Sequence, residues 1–438
     1  YTISGANPGD EPTLELLGGA TASFTDLVQI GSTGDAAMTV MGTGSRFTSS
    51  HAFMDIGWVG SGRLDVSDKG SVDQTGGVVF NLGVAQNASG TVTVDGVDAE
   101  ISAGDLIIVG DHGEGHFDIT GGARVTASRL WIAHYADAQP SDMLVSGTGG
   151  PGAPSLLQIS GNASIGGEEI QSSGVAANLV VENGGQVLVG DVLRVWSAGT
   201  VELRNATVSV PNSFMRLNGG TLRGDGTVEG DLSNAGTVSP GQTIGLLTID
   251  GGYEQDPAGT LEIEIANTGP TQFDRLQLTG GEVLLAGTLD VTLLGGFAPH
   301  AGDSFEILSG ASLLSGTFTN EVLPQLTGAL DWNVNYDMLN NRVLLEVVTP
   351  YSADFDLDGD VDNSDLVIWE GAFGVNTLAD ANGDGKSDGA DLLLWQSQYT
   401  GDLSPLLASA PAIPEPASAA LTLVAICLTL GRRRPLSA

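Results

Sequence analysis

A mainly β fold, wound as a solenoid of stacked short strands and followed by a small α-helical unit and an apolar tail, is what this 438-residue sequence predicts. Three observations carry the expectation. A short phrase ending in glycine recurs about every 26 residues near the N-terminus. The segments between these glycines alternate apolar and polar residues, the period of a strand with one buried face. No helix-length apolar period interrupts residues 1–348, while the 64 glycines supply turns throughout.

The repeat is explicit in Gln29-Ile30-Gly31, Asp55-Ile56-Gly57, Asn81-Leu82-Gly83 and Ile108-Val109-Gly110, whose glycines step by 26, 26 and 27 residues. Each phrase leads through a Gly-rich turn into an alternating strand, as in Gly62-Arg63-Leu64-Asp65-Val66, Gly90-Thr91-Val92-Thr93-Val94 and Gly115-His116-Phe117-Asp118-Ile119. A fifth, weaker copy starts at Trp131-Ile132-Ala133. One such coil cannot bury its inner face alone, so coils must stack and share a core. Glycines fall where φ is positive or where two backbones approach closely. A meandering β-sandwich is the competing arrangement, and the sustained period favours the solenoid.

Residues 225–320 change character. Gly236-Thr237-Val238-Ser239-Pro240-Gly241 leads to Leu247-Thr248-Ile249-Asp250-Gly251-Gly252, then to Gly259-Thr260-Leu261-Glu262-Ile263-Glu264, Asp274-Arg275-Leu276-Gln277-Leu278 and Gly287-Thr288-Leu289-Asp290-Val291. This order resembles the passenger repeats of bacterial autotransporters and related surface proteins. The resemblance implies a right-handed parallel β-helix stalk and no chemistry. No membrane barrel follows in this sequence, so self-transport through an outer membrane is not supported.

The strongest chemical signal is a duplicated ladder of carboxylates. Taking Asp354 as position 1 places Asp354, Asp356, Asp358, Gly359, Asp360, Asp362 and Asp365 at positions 1, 3, 5, 6, 7, 9 and 12. The second copy places Asp380, Asn382, Asp384, Gly385, Lys386, Asp388 and Asp391 at the same positions. Ca2+ takes six to eight hard oxygen ligands in a flexible shell, and alternate residues of a tight loop can aim oxygens inward. Position 7 contributes a backbone carbonyl, so Asp360 and Lys386 both serve, and glycine at position 6 permits the sharp turn. Each position 12 is followed by Leu366 or Leu392, then by Trp369 or Trp395 and Phe373 or Tyr399, one face of a short helix. Gly374 and Gly401 suit helix termination.

This duplicated loop-helix arrangement over residues 352–403 resembles a type I dockerin domain with its paired EF-hand-type loops. The resemblance implies calcium binding and a cohesin-like partner. It departs from the family pattern at Leu357, where position 4 is usually small or polar, and at Ser387, where position 8 is usually aliphatic. The helix-start pairs Asn363-Ser364 and Gly389-Ala390 differ from the Ser-Thr pairs often used against cohesins, which puts the choice of partner in doubt. With Lys386 and fewer carboxylates, loop 2 is expected to bind more weakly.

Residues 404–413 read as a Pro/Ala/Ser-rich linker. Pro414-Glu415-Pro416 precedes an apolar run over 417–431, closed by Arg432-Arg433-Arg434. As a helix the run reaches about 22 Å, short of an ordinary span, and the arginines would stay cytoplasmic. A simple tail anchor is the plainer reading. The order of these parts over 414–438 resembles the PEP-CTERM sorting signal of Gram-negative bacteria. That resemblance implies exosortase recognition, transient residence in the inner membrane, removal of the tail and release to the cell surface or extracellular matrix. The single cysteine, Cys427, lies within this tail. The chain opens at Tyr1 in strand-like sequence, which fits a removed leader or a start inside a longer protein.

Charge excludes some partners. Fifteen Lys and Arg against 53 Asp and Glu give a net charge of −38, which repels nucleic acid and anionic membranes. No catalytic constellation stands out. Asp111-His112-Gly113-Glu114-Gly115-His116 has the wrong spacing for a helical zinc motif and reads as a turn, and Glu168-Glu169 points only weakly to glycosidase chemistry. The expectation is therefore a non-catalytic, exported structural or adhesion protein. The alternatives are a carbohydrate-active enzyme, or a glycan-binding subunit for a polysaccharide, docked through the same module.

Overall fold

A computed structural model describes residues 2–3, 11–76, 78–150, 152–327 and 330–400. The chain divides into two compact units, Tyr1–Val348 and Thr349–Ala438. The first is a parallel β-solenoid, as the repeat predicts.

Each early coil contributes three short strands, and each strand pairs in parallel with its counterpart one coil on. Val28–Ile30, Phe53–Ile56, Val79–Leu82 and Leu106–Val109 make one face, with Val28 opposite Met54, Met54 opposite Phe80, and Phe80 opposite Ile107. The steps are those of the repeated phrase. Ala36–Met41, Ser61–Ser67, Ser89–Asp95 and Glu114–Thr120 make the second face. Arg46–Ser49, Ser71–Gln74, Glu100–Ala103 and Arg124–Ala127 make the third.

In-register stacking puts like beside like in the core. Ile30, Ile56, Leu82, Val109, Ile132, Ile165 and Val195 form one column, each paired with the next and all fully buried. The β-branched side chains fit this pleated, half-buried surface. Alternate residues face outward, which is why each coil keeps a polar stripe.

The glycines of the repeated phrase form the corners. Gly31, Gly57, Gly83 and Gly110 have φ of +73°, +73°, +61° and +78°. A Cβ at Gly57 would overlap the Ser89 carbonyl one coil on, and a Cβ at Gly83 would overlap that of Glu114. The fifth copy belongs to the same ladder: Ile132 pairs with Val109, and Ala133 takes the glycine's place at φ +54°.

The period holds only in the first coils. Ser141 pairs with Ala177, 36 residues on, whereas Thr221 pairs with Thr237, only 16 on. One coil, Gly199–Asn218, is a continuous 20-residue strand that pairs with three successive strands of the coil before it. Residues 225–320 continue the same three ladders. The solenoid reading extended to residue 348, but its last strands depart from the coil pattern. Asp331–Asp337 and Arg342–Val348 form an antiparallel hairpin, and the second of them pairs antiparallel with Ser304–Ser309. Trp332 packs 6.0 Å from Phe305 and donates from Nε1 to the Pro324 carbonyl at 2.9 Å. Reversing strand direction blunts an edge that would otherwise template further pairing.

The corner geometry makes a paired prediction. Gly57→Ala must adopt a left-handed φ, at about 1–3 kcal/mol, and must also displace the next coil's backbone, at about 1–3 kcal/mol more. Gly18→Ala, at φ +59° with nothing within 4 Å of its added Cβ, carries only the first of these. Urea unfolding of the two variants checks this; equal losses would contradict the corner argument.

Candidate metal centre

Both carboxylate-rich loops of the second unit run into short helices, α1 (Asn363–Ala372) and α2 (Gly389–Gln398). The aspartates at positions 9 and 12 start these helices. Asp362 is the N-cap of α1, its carboxylate accepting from the Ser364 amide at 2.6 Å, while Asp365 accepts from the Asp362 amide at 2.8 Å. Asp388 and Asp391 repeat this box on α2, with bonds of 2.8 Å from Ala390 and 2.7 Å from Asp388. Carboxylates here also complement the positive end of the helix dipole.

The carboxylates at positions 1 and 12 also hold the loops closed. Asp354 accepts the amides of Asp358 and Gly359 at 3.2 and 3.0 Å, and Asp365 those of Phe355 and Asp356 at 2.6 and 3.1 Å. In loop 2, Asp380 accepts Asp384 and Gly385 at 3.0 and 2.7 Å, and Asp391 accepts Asn382 at 3.1 Å. Gly359 and Gly385 at position 6 have φ of +98° and +83°. Position 4 also needs a positive φ. Gly383 supplies it at +73°, whereas Leu357 is forced to +59° with its side chain half exposed. That is the physical content of the departure noted in the sequence.

Within this unit the two loop-helix copies lock reciprocally. Trp369 Nε1 donates to the Asp388 carbonyl at 2.9 Å, and Trp395 Nε1 to the Asp362 carbonyl at 2.8 Å, so each tryptophan reaches the other helix's N-cap. Ala353, Val361 and Trp395 form the core, with Leu366, Leu392 and Tyr399 packed against it, while Phe373 is half exposed. The position-8 residues are both buried. Val361 bonds Thr400 through its backbone, and the Ser387 carbonyl accepts from Gly374. Ser387 also accepts the Ala379 amide on its hydroxyl at 3.0 Å, so a polar residue is satisfied there. Gly374 sits past the end of α1 at φ +66°, as a terminator should. Gly401 lies outside the described residues.

Asp354, Asp356 and Asp358 offer ligand oxygens within 4.8 Å of one another, and Asp360, Asp362 and Asp365 form a second such group. Loop 1 could therefore hold a metal ion. Among the described residues these are the groups of three that converge, and neither includes Asp380, Asn382, Asp384, Lys386, Asp388 or Asp391 of loop 2. Asp354, Asp365 and Asp391 are buried, and among the described residues no ion pair reaches either loop's carboxylates. Such clustering disfavours charge. Desolvation, with the Asp365 and Asp358 carboxylates facing it, pushes exposed Asp356 up to about 6. Desolvation and neighbouring carboxylates also raise Asp354 and Asp360.

Elsewhere, Asp111–Gly113 is a bend and Glu114–Thr120 a strand, so the histidines of that motif take separate partners. His112 meets Asp137 at 2.8 Å. His116 lies 3.1 Å from Asp118 and 2.6 Å from Asp142, whose hydrogen bonds raise it to about 10. Glu168 and Glu169 fall at a side excursion closed by a Gly167–Ser172 bridge. The linker, the sorting residues Pro414, Glu415, Pro416, Arg432, Arg433 and Arg434, and the apolar run 417–431 lie outside the described residues. Among the described residues no helix is long and apolar enough to cross a membrane. No family model matches the chain, and no curated protein matches it.

Two outcomes follow from the loop geometry. Carboxyls raised in the folded state stabilise below their ordinary value near 3.8, and that contribution is lost as pH rises through about 6. With metal chelated, melting of the second unit is therefore higher at pH 5 than at pH 7.5, and Asp356→Asn flattens the difference. A profile rising with pH would contradict this. Leu357→Gly relieves a left-handed strain of about 1–2 kcal/mol and raises the melting temperature, whereas Gly383→Leu lowers it.

Proposed function

We propose that this chain is an exported, non-catalytic surface or extracellular-matrix protein. In this reading a right-handed β-helix stalk carries a Ca2+-dependent, dockerin-like interaction module, and exosortase removes a PEP-CTERM-type tail after transient inner-membrane anchoring. The observation that carries the reading is the pair of matched aspartate loops, whose buried carboxylates have backbone amides and, among the described residues, no cationic side chain paired with them. Burying charge without compensation is costly, and a bound divalent cation supplies the compensation. Six positions of hard oxygen donors in each loop suit Ca2+ better than a softer metal.

Asp354, Asp356, Asp358, Asp365 and the Asp360 carbonyl hold the first ion, with Asp362 at position 9. Asp380, Asn382, Asp384, Asp388, Asp391 and the Lys386 carbonyl hold the second, more weakly because Asn382 is neutral. The module's use in docking is supported by its duplicated outer surface. Val367 and Leu393 are 67% and 66% exposed at equivalent positions of α1 and α2. The helix-start pairs Asn363-Ser364 and Gly389-Ala390 are exposed as well. Such twin faces suit a cohesin-like partner that can take either helix.

Calorimetry on the full chain tests the reading. Calcium should bind at two sites per chain and raise the second unit's melting temperature, with magnesium much less effective. Asp365→Asn should abolish the tighter site and Asp391→Asn the weaker one. Absence of heat and of any melting shift at millimolar calcium would sink the assignment. Calcium-dependent capture by a cohesin panel, lost in Val367→Asp/Leu393→Asp, tests the docking role.

A further inference from the structure

The solenoid carries a cleft that the aspartate loops do not explain. The turns that follow Ile56, Leu82 and Val109 stack on one another: the Trp58 amide donates to the Gly31 carbonyl, that of Val84 to Gly57 and that of His112 to Gly83, while the Ala85 amide reaches the Trp58 carbonyl. Their side chains differ in size. Trp58 and His112 carry rings, while Val84 and Ala85 on the coil between them are smaller. Coils repeat at about 4.8 Å, so two coil spacings separate the ringed turns. The result is a cleft of about 520 Å³, walled by Phe53, Trp58 and His112 and floored by Asp55 and Asn81. That is the size of a small-ligand site.

The floor is unsatisfied. Asp55 and Asn81 alternate with the inward-facing Met54, Ile56, Phe80 and Leu82, so they point out of the core, yet they are only 2% and 6% exposed. Asp55 accepts from Gln29 Nε2 at 3.2 Å through Oδ2, and Asn81 Nδ2 donates to Asp111 at 3.4 Å. Among the described residues Asp55 Oδ1 and Asn81 Oδ1 are buried without a hydrogen-bond partner. A buried acceptor left unpaired costs roughly 1–3 kcal/mol. Two of them on adjacent coils of one cleft ask for a ligand with two donors about one coil apart.

The walls and the charge narrow the chemistry. Phe53 and Trp58 are 44% and 41% exposed, so ring surface is open to an apolar face. Burial pushes the Asp55 carboxyl up to about 6 despite its bond from Gln29, so the cleft disfavours net charge. Asp111, committed to His134 at 2.7 Å, disfavours anions, as does the overall charge. A bare metal ion does not fit, because these His and Asp side chains are not among the converging groups of the described residues. A sugar ring combines hydroxyl donors, a C–H face and no charge.

We propose that this cleft binds a neutral glycan, one sugar lying between Trp58 and His112 with hydroxyls donating to Asp55 Oδ1 and Asn81 Oδ1. The ring surface continues past His112. Tyr135 stacks on it at 4.4 Å and is 43% exposed, while His134, tilted against Tyr135 at 3.7 Å, is buried behind it. A chain of sugars can therefore run along the solenoid from coil to coil. The site belongs to the first unit and shares no residue with the metal loops, and it gives the adhesive reading above a class of partner.

Affinity electrophoresis and calorimetry on the full chain in EDTA test it, using β-1,4-linked hexaoses of glucose, xylose, mannose and N-acetylglucosamine. Hexagalacturonate and hexalysine serve as charged controls. At least one neutral hexaose should bind. Trp58→Ala and Asp55→Ala should each weaken it tenfold or more, and Ala85→Trp, which fills the cleft, should abolish it, all with unchanged melting. No neutral hexaose bound, binding indifferent to all three variants, or preference for a charged control would each overturn the proposal. Reducing ends released from a bound hexaose would refute the non-catalytic reading and leave the ligand class standing. The calcium-induced melting shift, measured on the same variants, reports separately on the aspartate loops.

Discussion

Everything in the large unit depends on the parallel backbone ladder between successive coils. A strand of the parallel coils finds its partners one coil before and one coil after, so no coil is stable alone. The ladder closes only if the chain can turn tightly at each corner while the next coil's carbonyl lies against it. Gly57 and Gly83 meet both demands, with positive φ and with no room for a Cβ beside Ser89 and Glu114. Once the corners are set, register follows, and register brings Ile30, Ile56, Leu82 and Val109 into one buried column. The same register aligns the outward residues Gln29, Asp55 and Asn81. Core and cleft are thus two faces of one constraint.

The small unit solves a different problem. Its apolar core is slight, and much of its organisation comes from carboxylates that serve more than one purpose. Asp365 completes a helix capping box and gathers the amides of Phe355 and Asp356. Reciprocal tryptophan bonds to the opposite N-cap carbonyls tie the two copies together. Concentrating carboxylates this way leaves repulsion that a bound hard cation would relieve, which would link folding to metal binding.

Much of the fold was legible in the sequence where spacing was regular. The repeated phrases between Gln29 and Gly110 led to the ladder directly, and the aspartate spacing led to the loops. Legibility failed where insertions changed coil length, as between Ser141 and Ala177, or where turns vanished, as in Gly199–Asn218. It failed also at the closing hairpin, since Asp331–Asp337 and Arg342–Val348 alternate like any coil strand and only their partners reveal the reversal. The cleft was hidden in plain view: the polar residue in Gln29-Ile30-Gly31, Asp55-Ile56-Gly57 and Asn81-Leu82-Gly83 looked like an ordinary solvated position.

The sequence by itself determined the β-solenoid class, the glycine corners and the spacing of the aspartates in the paired loops. Each of these is local, or repeats at a fixed interval, and so is written in spacing alone. Tertiary structure decided that Asp55 and Asn81 are buried with unpaired oxygens, that Leu357 occupies a left-handed position, and that each tryptophan reaches the opposite helix. Those properties arise from contacts between residues distant in the chain or from the turn that a whole loop imposes, and a linear pattern does not record them.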